Sequence, residues 1–203
     1  MNRHTNAYAV ALAFIVFCLG LLVPGASATQ WNQATRLTFN KPVELPGVSL
    51  PAGTYVFTIM PNNPDRNIVE VWNADRTKLY TTILAIPDYR LHVTTKPVLT
   101  LSENAPRSPE EVKAWFYPGD QFGHEFVYPK SQATRIASRT HEPVLYVPDS
   151  MEANMKKHAK SAKESSIIAL KNAPVRAVRP SGEDVDAGQV ATLKPSSQAP
   201  TPH

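Results

Sequence analysis

Apolar and polar residues alternate with a period of two through much of residues 31–148, in short runs separated by turn chemistry. In ATRLTF at 34–39, Leu37 and Phe39 fall on one face and Arg36 and Thr38 on the other, which predicts a half-buried strand. VEL at 43–45 repeats the pattern before Pro46-Gly47 turns the chain. At 50–60 (LPAGTYVFTIM), Tyr55, Phe57 and Ile59 alternate with Thr54, Val56 and Thr58, a strand rich in aromatic and β-branched residues. Ahead of it, Pro51-Ala52-Gly53 is expected to form a type II turn with Gly53 at positive φ. After a loop at 61–65, strands are expected at 67–72, 79–86 and 96–103, the first two joined by a hairpin turn over 73–76. The 79–86 run is apolar or β-branched almost throughout, so it is expected in mid-sheet with both faces covered, ending at Pro87. Residues 124–128 and 144–147 are expected to close the fold.

One short helix is expected to interrupt this series. Ser108 has N-cap chemistry, Pro109 suits a first helical position, and Glu111 follows the cap by three residues. Such a helix runs to about residue 115, because Pro118-Gly119 stops it. The pattern therefore predicts a mainly β chain: an antiparallel β-sandwich or barrel-like domain at 29–148 with one short inserted helix. Pro148 is read as its end. Asp149 or Ser150 can cap a helix over 149–172. Residues 173–203 lack aromatics and are read as a disordered tail, with too little apolar surface to offset the entropy of ordering.

The N-terminus follows a different rule. Arg3 precedes an apolar run over 7–23, Pro24-Gly25 breaks it, and Ala26 and Ala28 stand at the −3 and −1 positions of a cleavage site before Thr29. That is the layout of a secretory signal peptide, and it predicts a periplasmic or extracellular protein with no stable membrane insertion after cleavage. The run is short for an uncleaved anchor, which needs roughly 17–25 residues. Phe17 before Cys18 argues against a lipidated cysteine.

Composition narrows the chemistry. Cys18 is the only cysteine, so the chain after Ala28 has no disulfide or thiolate metal site. The net charge of +4 is unevenly spread. Residues 29–149 hold twelve Lys+Arg against twelve Asp+Glu, and residues 150–203 hold eight against five. A balanced domain lacks the clustered basic surface expected of a nucleic-acid binder. Lys156, Lys157, Lys160 and Lys163 could meet an anionic surface, but their helix lacks the Trp, Phe and Leu face of an interfacial helix. A solvated helix is the favoured reading.

The densest chemistry lies at 115–129, WFYPGDQFGHEFVYP. As a ligand platform it would use Trp115, Tyr117, Asp120 and Tyr128, the rings stacking on sugars or a protein and the carboxylate accepting hydrogen bonds. As packing, the same aromatics would each bury about 150–250 Å² in one end of a disulfide-free core. Packing is favoured. Asp120, His124 and Glu125 form the alternative acid/base set, although adjacent His124 and Glu125 point to opposite faces of a strand. No G-x-S-x-G, S-x-x-K, H-E-x-x-H or glycine-rich phosphate loop occurs, and no metal or cofactor is expected.

Three strings carry a resemblance: LPAGTYVF at 50–57, NIVEVWNADRTKLYTTILAIPDYR at 67–90, and SPEEVKAWFYPGDQFGHEFVYPK at 108–130. They resemble an uncharacterised family of secreted bacterial β-rich proteins. The resemblance implies an envelope or extracellular β-domain and carries over no ligand or catalytic residue. The expectation is a secreted non-catalytic module that binds a protein or polysaccharide; the alternative is a hydrolase acting on cell-wall or extracellular polymer.

Overall fold

The computed structural model describes residues 34–60, 67–101, 109–157 and 164–193. The signal segment with Ala26 and Ala28, the loop at 61–65, the Ser108 cap, Lys160, Lys163 and residues 194–203 lie outside the described residues.

Two sheets organise the described residues. The larger contains β1 (Ala34–Phe39), β2 (Val43–Leu45), β3 (Val48–Leu50), β4 (Gly53–Met60), β5 (Asn67–Asn73), β6 (Leu79–Tyr89), β7 (Val98–Leu101), β8 (Glu110–Phe116) and β9 (Phe122–Phe126). Its order is β1-β4-β5-β6-β9-β8-β2-β3, with β7 on β8. Every pairing is antiparallel except β2 with β8. A smaller sheet orders β10 (Tyr128–Pro129), β11 (Val144–Val147), β12 (Arg176–Val178) and β13 (Asp184–Asp186). The helices are α1 (Lys130–Thr140), α2 (Glu152–Lys157), α3 (Glu164–Lys171) and α4 (Ala187–Leu193), with a 3₁₀ turn at Asp149–Met151.

Strand parity divides the apolar residues between two cores. Leu37, Tyr55, Phe57, Val69, Val71, Ile83, Ala85, Val112, Trp115 and Phe126 gather on the inner face of the larger sheet, closed at one side by Ala133, Ile136 and Ala137 of α1. The alternate residues Ile68 and Leu84 face outward, against Leu145, Val147, Met155, Leu170, Ala177, Val185 and Val190. The middle of β6 is thus covered on both faces, as its apolar run requires. Leu37 and Phe39 of β1 and Leu99 of β7 line one groove of about 320 Å³, so these two edges face each other across an unclosed seam.

Local signals place several turns. Pro46-Gly47 joins β2 to β3, with Gly47 at φ 73°. The side-chain oxygen of Asn73 accepts from Thr77 and Lys78 backbone N–H at 2.8 and 2.9 Å, closing the β5–β6 hairpin. Gly53 departs from expectation: it is absent from the positive-φ residues and opens β4 opposite Phe39. The bend ahead of it is held by Tyr55, whose hydroxyl donates to the Pro51 carbonyl at 2.9 Å.

Four larger expectations are corrected. The helix expected to run to about residue 115 is strand β8. Glu111 is buried in β8 opposite Glu44 of β2 and paired with Arg139 of α1, while β7 and β9 flank the rest of the strand. Two long-range ladders outweigh one local cap. The inserted helix instead lies at α1, where Ala133, Ile136 and Ala137 follow helical spacing toward the core. Gln132 pins it, donating to a Glu44 carboxylate oxygen at 2.9 Å and to the Leu45 carbonyl at 3.0 Å.

β6 runs through Pro87 to Tyr89. The hydrogen bonds Val127 N–H to Leu84 at 3.0 Å and Arg90 N–H to Gln121 at 2.9 Å set the phase of the β6–β9 ladder. Pro87 opposite His124 is therefore a non-hydrogen-bonded pair, where a missing N–H costs the ladder nothing. Nor does Pro148 end the fold. β12 pairs with β11, and Met155, Leu170, Ala177, Val185 and Val190 build the second core. Ordered strand and helix thus occupy much of 173–193, where a disordered tail is expected. The apolar residues there are few but aligned on one exposed sheet face, which is enough to bury them.

Candidate functional site

The aromatic segment folds as a strand, a turn and a strand. β8 ends at Phe116, Gly119 turns at φ 85°, and β9 begins at Phe122. The turn is fastened to the loop that follows β6: Gly119 N–H donates to the Thr94 carbonyl at 2.8 Å. Arg90 supplies the clamp. Its guanidinium donates to the Asp120 carbonyl at 2.9 and 2.7 Å and to the Thr94 hydroxyl at 3.1 Å. It also lies 4.9 Å over the Phe116 ring. Gly123 is opposite Phe116 in the ladder, and a Cβ there would run into the Phe116 ring. The glycine serves close packing within a strand rather than a turn.

This clamp presents an apolar tip. Tyr89, Leu91, Val93 and Phe122 are 54, 55, 50 and 66 % exposed. Tyr89 and Phe122 are directly opposite in the ladder, with ring centroids 5.7 Å apart. Beside them runs a groove of about 370 Å³ lined by Ile86, Asp88, Glu125, Leu145 and Val190, among others.

The expected platform residues do not share this surface. Trp115 is 0 % exposed and packs against Phe57 at 5.9 Å between ring centroids. Tyr128 is 2 % exposed, its hydroxyl donating to the Val112 carbonyl at 2.7 Å. Burial holds that phenol well above its ordinary range, with Glu44 adding to the effect. Tyr117 is half-buried against the inner core, and half-buried Asp120 offers its carbonyl to Arg90. Interior packing accounts for Trp115 and Tyr128, and the four residues form no common face.

The acid/base set is likewise divided. His124 points inward, its ring 5.5 Å from that of Trp115, whereas Glu125 lines the outer groove and Asp120 sits in the turn. Burial lowers the His124 pKa to about 4, so the imidazole is neutral at neutral pH. Its Nδ1 is buried without a hydrogen-bond partner among the described residues. A carboxylate and imidazole on opposite faces of one strand cannot act together on a single bound group. Among the described residues no cluster of three His, Cys, Asp or Glu is arranged to hold a metal, and no helix is long and apolar enough to cross a membrane.

Sequence reasoning singled out Phe122 only as one aromatic in a run, and it missed Tyr89, Leu91 and Val93. A signal was present: Tyr89, Leu91 and Val93 alternate with Arg90 and His92 between Pro87 and Pro97, a strand-like pattern in a segment that is mostly loop. No family model matches the chain, and neither curated proteins nor solved structures give a match.

Proposed function

We propose that this chain is an exported, non-catalytic module that binds a protein partner through the Tyr89–Leu91–Val93–Phe122 tip. The observation that carries this is four exposed apolar side chains, Tyr89 and Phe122 at the ends of β6 and β9 and Leu91 and Val93 on the loop that Arg90 fastens. Preordered loops lower the entropic cost of binding, and contiguous exposed apolar surface marks interaction sites. Aliphatic Leu91 and Val93 favour a protein over a polysaccharide, whose sugars stack on rings alone. Export is supported by the charged start, apolar run and Ala26-x-Ala28 exit. The hydrolase alternative draws no support from Asp120, His124 and Glu125, which do not converge.

Two measurements test this reading. Intact mass of the protein recovered from its producing cells is expected to begin at Thr29; an N-terminus at Met1 would sink the export claim. The chain beginning at Thr29, immobilised and exposed to envelope extract, is expected to retain a protein that a Tyr89→Ser, Phe122→Ser double variant does not. Equal retention by both removes the tip from consideration. Loss of binding on a polysaccharide panel instead would change the partner's class.

A further inference from the structure

We propose that the tip is acid-sensitive: protonation of His124 loosens β9 from β6 and separates Tyr89 from Phe122. The inference rests on the reading of the tip as a contact surface, whose regulation it supplies.

The geometry places the titrating group directly behind that surface. His124 and Phe122 are two residues apart on one face of β9, and their partners Pro87 and Tyr89 are two apart on β6. Both are non-hydrogen-bonded pairs, in which the opposed side chains approach closely. His124 is 8 % exposed. Its Nδ1, buried and unpartnered, would become an N–H with no acceptor in the charged state.

Charged groups on the surrounding strands lie elsewhere. On β6, Asp88 is opposite Gly123 and lines the outer groove; just beyond the strand, Arg90 lies over Phe116. On β9, Glu125 also lines that groove. On β8, Lys113 pairs with Glu142, and Glu111 pairs with Arg139 near α1. From β7, Leu99 stands opposite Trp115. Asp120 sits in the turn beside Arg90. Desolvation is accordingly the cause of the depressed basicity, the imidazole lying 5.5 Å from the Trp115 ring centroid.

The sign follows from linkage. A neutral imidazole with pKa about 4 in the closed tip gains a proton on opening to solvent, where an ordinary value near 6.5 applies. Opening is therefore favoured as pH falls through this window. The open population is expected to rise about 30-fold between pH 7.5 and pH 5.

The test needs no partner, so its failure leaves the binding reading standing. NMR of the chain beginning at Thr29 should show the His124 ring titrating below pH 5. Hydrogen exchange corrected for intrinsic rates should show the Phe122–Phe126 and Tyr89–Arg90 amides opening with acid while Val56 and Val71 stay protected. In His124→Gln, which cannot charge, the tip should hold constant down to pH 5. A His124 titration near 6.5, simultaneous opening of β4 and β5, or an unchanged acid response in His124→Gln would each overturn the proposal. If that variant does not fold, the wild-type ring titration and the order of opening decide it.

Discussion

Trp115 and Phe122 stand seven positions apart in one aromatic run, yet one is sealed in the core and the other is two-thirds exposed. The difference lies in register. Trp115 sits mid-strand in β8 with β7 on one side and β9 on the other. Phe122 begins β9, beyond the end of the inner core, where its ring meets that of Tyr89 at the rim. A run of aromatics therefore marks where surface is concentrated but not which part of it is buried. The interior half is buried in the core, and the rim half is the exposed surface for which contact is proposed.

That division is open to direct attack. The largest effect is expected from Trp115→Ala, which should cost about 3–5 kcal/mol of unfolding free energy. Urea denaturation would measure it, and a loss below about 1 kcal/mol would place Trp115 outside the core. Next is pH. Because burial holds His124 at about 4 in the folded chain, the unfolded chain binds more protons between pH 6.5 and 4. Stability should be fully present above that window and fall by about 3 kcal/mol by pH 4 from this group. Comparing the pH-dependence of His124→Phe with that of the wild type isolates it; parallel curves would refute the assignment.

A smaller loss is expected from Gly123→Ala. The added methyl collides with Phe116, so about 1–3 kcal/mol should be lost as the ring and the Arg90 clamp shift. An unchanged melting transition would show that the ring moves aside freely. Smallest is Phe122→Ser, expected to stay within about 0.5 kcal/mol of wild type, as for other exposed positions. A destabilisation comparable with that of Trp115→Ala would erase the distinction between rim and interior.

Much of the β architecture was legible along the chain. The strands β1, β4 and β5, the Pro46-Gly47 and Asn73 turns, and the doubly covered β6 all follow from residue type and spacing. The site was less legible. Trp115, Phe116 and Tyr128 look like Phe122 in sequence, and Tyr89 looks like part of an ordinary strand. Strand end and strand middle differ in the number of neighbours, which a local window does not contain. The same limit turned a cap-like Ser-Pro-Glu-Glu into an expected helix, although Glu111 is neutralised by Arg139 from far along the chain.

Period-two patterning, glycine and proline at turns, and the lack of cysteine after Ala28 establish from residue identity a β-rich core without an intrachain disulfide. These are short-range or compositional properties, so they are readable without a fold. The pairing of β11 with β12, the burial of Met155 and Leu170 beyond Pro148, and the exposure of Tyr89 beside Phe122 arise from contacts between distant segments. Burial depends on what another part of the chain brings to a face, and that is settled only when the strands have been put in register.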